Sequence, residues 1–167
     1  LPWNITAALV GFAVLSFSYA VVSPPFENPD EMSHAEYAGF IGARHQLPVV
    51  ERDCVRMAFH PPLYHALLAP VASAMGLDAE AMMAGHRMNP AYASTRVVLV
   101  HGYPDEAFPF SGVSRFVFIG RLLSIAFGLV VLLYAYKLAR LMSEDTVAQL
   151  LAVVTVAAIP QFEYLSA

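Results

Sequence analysis

Residues 4–23 read NITAALVGFAVLSFSYAVVS and carry no charged side chain. A helix of about 20 apolar residues is about 30 Å long, which matches the hydrocarbon core of a bilayer. We therefore expect a transmembrane helix here. A cleaved signal peptide is the alternative, because Ser18-Tyr19-Ala20 could serve as a cleavage site. However, no basic residue precedes the run, and the run exceeds the usual apolar region of about 7–15 residues.

Charge is scarce and unevenly placed in the rest of the chain. Only 13% of its 167 residues are charged and 58% are hydrophobic, whereas soluble domains carry about 25% charged residues. Ten of the thirteen acids and six of the nine Lys and Arg residues lie between residues 27 and 115. The runs 122–136 and 146–162 contain no charge. This pattern predicts apolar spans separated by one long polar loop.

We therefore predict an all-α, polytopic membrane protein with about three transmembrane helices, forming one membrane domain over residues 1–167. Helices are also expected in the loop, since Asn28 is a good N-cap, Pro29 suits the first helical position and Glu31 can complete a capping box. The predicted segments are transmembrane helices at 4–23, 116–139 and 146–166, and a loop at 24–115 with interfacial helices near 29–46 and 62–76. Residues 77–114 are expected to be irregular.

The orientation of the spans is predicted from the basic residues near their ends. Lys137 and Arg140 end the second span, just before the turn Ser143-Glu144-Asp145. Because Lys and Arg accumulate on the cytoplasmic side of membranes, this turn is expected to be cytoplasmic. The long loop is then expected outside the cytoplasm.

The exit from the first span reads PPFENPDEMSH, residues 24–34, and combines an acidic pair with a histidine. Asp30 and His34 are four residues apart, so they share one face of a helix. Ionisable groups beside a membrane indicate a functional site. Acids in a first helical turn are also favoured by the helix dipole without any catalysis. At this point Asp30 is either a catalytic residue or a helix cap.

Four short motifs follow one another in a fixed relation to the predicted spans. They are PDE at 29–31 with His34, HPPLY at 60–64, GRLLS at 120–124 and IPQF at 159–162. In this order the chain resembles the GT-C superfamily of integral-membrane glycosyltransferases, which includes the protein mannosyltransferases and the aminoarabinose transferases. The resemblance covers most of the chain. An Asp-Glu pair replaces the Asp-X-Asp of the metal-dependent members, so metal use stays open.

The resemblance implies an inverting transferase in the bacterial inner (plasma) membrane. It would move a sugar from a polyprenyl-phosphate donor to a protein, lipid or glycan acceptor at the extracytoplasmic face. Such enzymes have further spans, so the chain is expected to be an N-terminal portion. Either no cofactor or a divalent cation is expected. The implied site comprises Asp30 as general base, Glu31 as its assistant or a cation ligand, and His34, His60, Arg115 and Arg121 as substrate-binding residues.

Simpler interpretations of these residues stay open at this point. His60 could only cap the next helix, His34 could only bond locally, and Arg121 could only extend to the membrane surface. A transition-metal site formed by the two histidines and Asp30 is a further possibility.

Other classes of protein fit the sequence less well. A non-catalytic scaffold or a transporter segment is the main alternative, but transporters place ionisable groups at the bilayer midplane and here the charges lie in a loop. A membrane metalloprotease would need a His-Glu-X-X-His helix, which the sequence lacks. The net charge of −4 favours no nucleic-acid partner. The single cysteine, Cys54, excludes an internal disulfide.

Overall fold

The computed structural model describes residues 1–84, 87–95 and 97–159, and within these ranges every regular element is a helix. An isolated antiparallel bridge joins Met88 to Leu99. The protein is therefore all-helical, as predicted. The helices are α1 (Trp3–Val22), α2 (Glu31–Arg44), α3 (Leu63–Met75), α4 (Ala79–Met83), α5 (Tyr92–Thr95), a 3₁₀ turn (Pro104–Glu106), α6 (Gly112–Met142) and α7 (Thr146–Ala157).

Two of these helices, α1 and α6, are long and apolar enough to cross a membrane. They correspond to the first two predicted spans. The 31 residues of α6 extend about 46 Å, which is longer than a hydrocarbon core of about 30 Å. By contrast, α7 has 12 residues and reaches only about 18 Å. The remainder of the third predicted span, from residue 160, lies outside the described residues, so a third span stays a prediction.

The chain folds as two compact units, one from residues 1–23 and 119 onward and one from residues 24–118. We call them the span unit and the loop unit. In the span unit, α1, α6 and α7 share one apolar core, as expected for helices without charged faces. Its buried members are Ile5, Phe12, Leu132, Tyr136 and Val153.

In the loop unit, α2 packs against both α3 and α4, and its own buried core contains Tyr37, Phe40 and Val55. Two glycines permit the close approach of the helices. A Cβ on Gly42 would lie 2.7 Å from the carbonyl oxygen of Ala69 in α3, and one on Gly39 would lie 2.9 Å from the backbone of Asp78. Side chains on α2 and α3 can therefore meet directly.

The two loop helices lie close to their predicted bounds. α2 was expected near 29–46 and α3 near 62–76. The prediction that Asn28 caps α2 is wrong, because Asp30 occupies the N-cap and the helix begins at Glu31. The interval 77–114 also contains α4, α5, the 3₁₀ turn and the start of α6, so it is less irregular than expected.

Candidate active site

Asp30 occupies a helix N-cap without acting as a cap. Its backbone is left-handed (φ 59°), and its side chain accepts no capping hydrogen bond. Two other aspartates at N-caps behave as expected: Asp78 accepts from the N–H of Ala81, and Asp145 accepts from the N–H of Val147. The carboxylate of Asp30 is exposed. Asp30 therefore makes no side-chain capping bond, and its carboxylate is available for another role.

Glu31 anchors the exit segment instead. Its Oε2 accepts the backbone N–H of Phe26 at 2.7 Å, and its Oε1 lies 3.5 Å from Nδ2 of Asn28. Phe26 has a positive φ of 65°, a conformation that is costly for a bulky residue and needs support. The two acids of the pair thus differ, since Glu31 holds the turn before α2 and Asp30 does not.

Three histidines from separate segments form a cluster next to this acidic pair. His34 lies on α2, His60 precedes α3, and His65 lies on α3. Nδ1 of His34 is 2.9 Å from Nε2 of His65, and the ring centroids of His34 and His60 are 5.6 Å apart. The ring of Tyr37 stacks on His65 with centroids 4.0 Å apart. We call His34, His60 and His65 the histidine cluster.

Two members of the histidine cluster, His34 and His65, are neutral at pH 7. Burial, then the neighbouring His34 and His60, lower the pKa of His65 to about 4, against the opposing effect of the Pro61 carbonyl. Burial and then His60 also lower the pKa of His34, while the charges of Asp30 and Glu31 raise it. Asp30 and Glu31 are thus close enough to the imidazole of His34 to act on it electrostatically.

The simpler interpretations of His34 and His60 do not survive. His34 bonds to a residue 31 positions away rather than locally. The N-cap of α3 is Pro62, and no side chain donates or accepts a capping bond there, so His60 does not cap that helix.

His65 was not predicted from the sequence as a site residue, because a single histidine has no spacing to recognise. Its one signal was a polar residue in the apolar run of α3.

A second cluster of ionisable side chains, which no spacing in the sequence revealed, consists of Glu27, His101 and Glu106. Glu27 accepts the backbone N–H groups of Val98 and Leu99, each at 3.0 Å, and its Oε1 lies 2.8 Å from Nε2 of His101. Nδ1 of His101 lies 3.1 Å from Oε1 of Glu106. Because both ring nitrogens face carboxylates, which only accept, the two contacts favour the imidazolium form of His101.

The carboxylates on both sides of His101 are expected to make this contact pH-dependent. Burial alone would lower the pKa of His101, but hydrogen bonds to Glu27 and Glu106 raise it overall. A raised pKa means that the stabilisation is complete below about 6.5 and is lost as pH rises through the folded-state pKa. Hydrogen-exchange protection of the amides of Val98 and Leu99, corrected for intrinsic rates, should fall across that window.

At acidic pH the same contact is expected to weaken for a different reason, namely protonation of Glu27. Burial alone would raise the pKa of Glu27, but the amides of Val98 and Leu99 and then His101 lower it overall. Its contribution to stability is therefore present above pH 4.5 and is lost as pH falls through the lowered pKa.

His101→Gln should abolish the alkaline loss of protection, whereas His45→Asn, at an exposed position, should retain it. Identical alkaline profiles in wild type and His101→Gln would refute the contact.

Arg121 and Arg115 both contact backbone carbonyls. Arg121 is 5% exposed, and its Nη1 donates to the carbonyls of Ala20 at 2.9 Å and Ser23 at 2.6 Å, at the end of α1. It is thus buried within the span unit rather than extended to the surface. In the loop unit, Nε of Arg115 donates to the carbonyl of Phe110 at 2.7 Å. A phosphate contact of either guanidinium stays a prediction.

Replacing Arg121 with methionine is expected to destabilise the span unit by about 1.5–3 kcal/mol, since hydrogen bonds to charged groups contribute in that range. The carbonyls of the last turn of α1 would lose a cationic donor that also suits the helix dipole. Arg121→Lys should be intermediate. Thermal unfolding of the three proteins in detergent micelles measures this, and equal midpoints for wild type and Arg121→Met would contradict the capping role.

Among the described residues, no three His, Cys, Asp or Glu side chains are arranged to hold a metal ion. Both oxygens of Glu31 accept hydrogen bonds, from Phe26 and Asn28, and a divalent cation at Asp30 and Glu31 stays a prediction.

Comparison with protein-family models, with curated proteins and with solved structures finds no match to this chain. The chemistry of the site itself is therefore the basis for its function.

Proposed function

We propose that this chain contributes the acceptor-activating site of a membrane glycosyltransferase. In this reaction a sugar passes from a polyprenyl-phosphate donor to a hydroxyl or amide of a protein, lipid or glycan acceptor at the extracytoplasmic face. The acceptor oxygen or nitrogen forms a bond to the anomeric carbon as the bond from that carbon to the phosphate oxygen breaks. The acceptor proton passes to Asp30, and the electron pair leaves with the polyprenyl phosphate.

The observation that supports this proposal is that Asp30 is exposed and makes no capping hydrogen bond. A general base must lie within hydrogen-bond reach of the acceptor, and its carboxylate must not be engaged in a structural hydrogen bond. Asp30 is exposed, lacks a capping bond, and is held at the start of α2 in a left-handed conformation. It also lies close enough to His34 to affect its titration. An unused carboxylate beside a neutral imidazole suits recognition of a hydroxyl-bearing substrate.

The other residues have supporting roles in the proposal. Glu31 fixes the turn that presents Asp30, through the amide of Phe26. His34 and His60 bind substrate hydroxyl groups. In the loop unit, Arg115 is the cationic group proposed to favour departure of the phosphate, because developing negative charge is stabilised by fixed positive charge.

The loop would have to face outside the cytoplasm for this reaction. Two apolar helices that could cross a membrane support a membrane location. Lys137 and Arg140 near the end of α6 support a cytoplasmic position for the following turn.

The experiment uses the full-length protein in membranes with a panel of radiolabelled polyprenyl-phosphate sugars, with and without EDTA. Transfer that needs an intact donor phosphate supports the proposal. Loss of that transfer in EDTA, with recovery on adding Mg²⁺ or Mn²⁺, would assign a divalent cation to the reaction. No transfer from any donor in membranes that hold native acceptors would favour the non-catalytic scaffold or transporter segment.

A further inference from the structure

His65 is buried where few hydrogen-bond partners are available to its ring nitrogens. It is 2% exposed and is covered on one face by Tyr37. Its Nε2 contacts His34, and its Nδ1 is buried and has no hydrogen-bond partner. The carbonyl of Pro61 still acts on the imidazole as a weak acceptor. A buried side chain in this position is costly unless it has a specific role.

The contact between the two imidazoles requires one proton between them. Both rings are neutral at pH 7, and a neutral imidazole has one donor nitrogen and one acceptor nitrogen. Because Nε2 of His65 faces His34, Nδ1 is the nitrogen left to interact with the Pro61 carbonyl. If Nε2 of His65 were the donor, Nδ1 would carry a lone pair and could not donate to that carbonyl. If Nδ1 of His65 carries the proton, it faces that carbonyl as a donor, and Nε2 accepts from His34.

We propose that His65 is a positioning residue that holds His34 in the Nδ1–H tautomer, leaving Nε2 of His34 as an acceptor for a substrate hydroxyl. The substrate part rests on the proposed function. Among the described residues Nε2 of His34 has no hydrogen-bond partner, and it is not one of the buried atoms left unpaired. It is therefore open to solvent.

This arrangement would give the site a directional preference. A lone pair on Nε2 accepts from a hydroxyl, whereas the opposite tautomer would donate there and would favour a carbonyl or phosphate oxygen. Buried partners of this kind set which nitrogen of a histidine is free, as they do for metal-bound histidines. The class of ligand inferred at Nε2 is thus a hydroxyl group of a sugar or an alcohol acceptor.

The test measures the tautomer directly by ¹⁵N NMR of histidine-labelled full-length protein in lipid nanodiscs at pH 7. His34→Gln identifies the His34 resonances. In wild type, Nδ1 of His34 should be protonated and Nε2 unprotonated. In His65→Phe, which keeps a ring against Tyr37, the Nε2–H tautomer of His34 should gain population. His45→Asn, at the C-cap of α2 with a φ of 52° that asparagine tolerates, should leave the His34 signals unchanged.

Each outcome separates this inference from the proposed function. A protonated Nε2 on His34 in wild type overturns the inference, and this result needs no variant that folds. A tautomer shift in His65→Phe together with reduced sugar transfer supports both. A tautomer shift in a protein whose wild type transfers no sugar supports the positioning role and overturns the transferase. Unchanged His34 signals in a folded His65→Phe protein overturn the inference whether or not transfer occurs.

Discussion

Replacing Asp30 with asparagine is expected to reduce sugar transfer about 10²- to 10⁴-fold, which is the usual contribution of a general base. The change is small in every other respect. Asparagine has the same shape and tolerates the left-handed conformation that Asp30 adopts (φ 59°). Asp30 makes no capping bond, so no capping contact is removed. The measurement is initial-rate transfer by purified full-length protein in nanodiscs, with folding checked by circular dichroism.

The chain offers a matched control for this substitution. Asp78 also occupies an N-cap, but its side chain accepts the N–H of Ala81 at 2.7 Å. Asn caps helices about as well as Asp, so Asp78→Asn should retain both stability and transfer. If Asp30→Asn transfers sugar at the wild-type rate, Asp30 is not the base. Equal losses in both variants would point to damage to the loop unit rather than to catalysis.

The helical framework could be predicted because it depends on local pattern. The uncharged run at 4–23 became α1 (Trp3–Val22), and the helix expected near 62–76 became α3 (Leu63–Met75). Apolar content and proline placement act over one or two helical turns, so they can be read from neighbouring residues. The start of α2 was less predictable, because Glu31 bonds backward to Phe26 and leaves Asp30 rather than Asn28 at the N-cap.

The candidate site was predicted only in part, because its second half depends on contacts between distant residues. Asp30, Glu31 and His34 lie within five positions and were found together. His65 pairs with His34 across 31 positions, and Glu27 pairs with His101 across 74. These pairs exist because helices and loop segments meet in three dimensions, and no spacing in the sequence records such a meeting. The burial that neutralises His65 has the same origin.

Replacing Gly42 with alanine is expected to destabilise the loop unit by about 1–3 kcal/mol, the usual cost of overpacking a tight interface. The new Cβ would lie 2.7 Å from the carbonyl oxygen of Ala69 and 3.1 Å from the backbone nitrogen of Ser73. Both contacts are backbone atoms, so relief requires α2 and α3 to separate. Separation would also lengthen the contact between His34 and His65, which joins the same two helices.

A loss of stability in Gly42→Ala would indicate the close helix crossing, because alanine normally stabilises a helix by about 0.5–1 kcal/mol relative to glycine. Gly11→Ala in α1 is the control, since a Cβ there meets no atom within 4 Å, and it should be neutral or stabilising. Native-state hydrogen exchange of α2 and α3 amides isolates the loop unit from the rest of the chain. Slower exchange in Gly42→Ala than in wild type would show that α2 and α3 do not cross at Gly42. Faster exchange together with loss of the Nδ1–H tautomer of His34 would show that the close helix crossing is what brings the two imidazoles together.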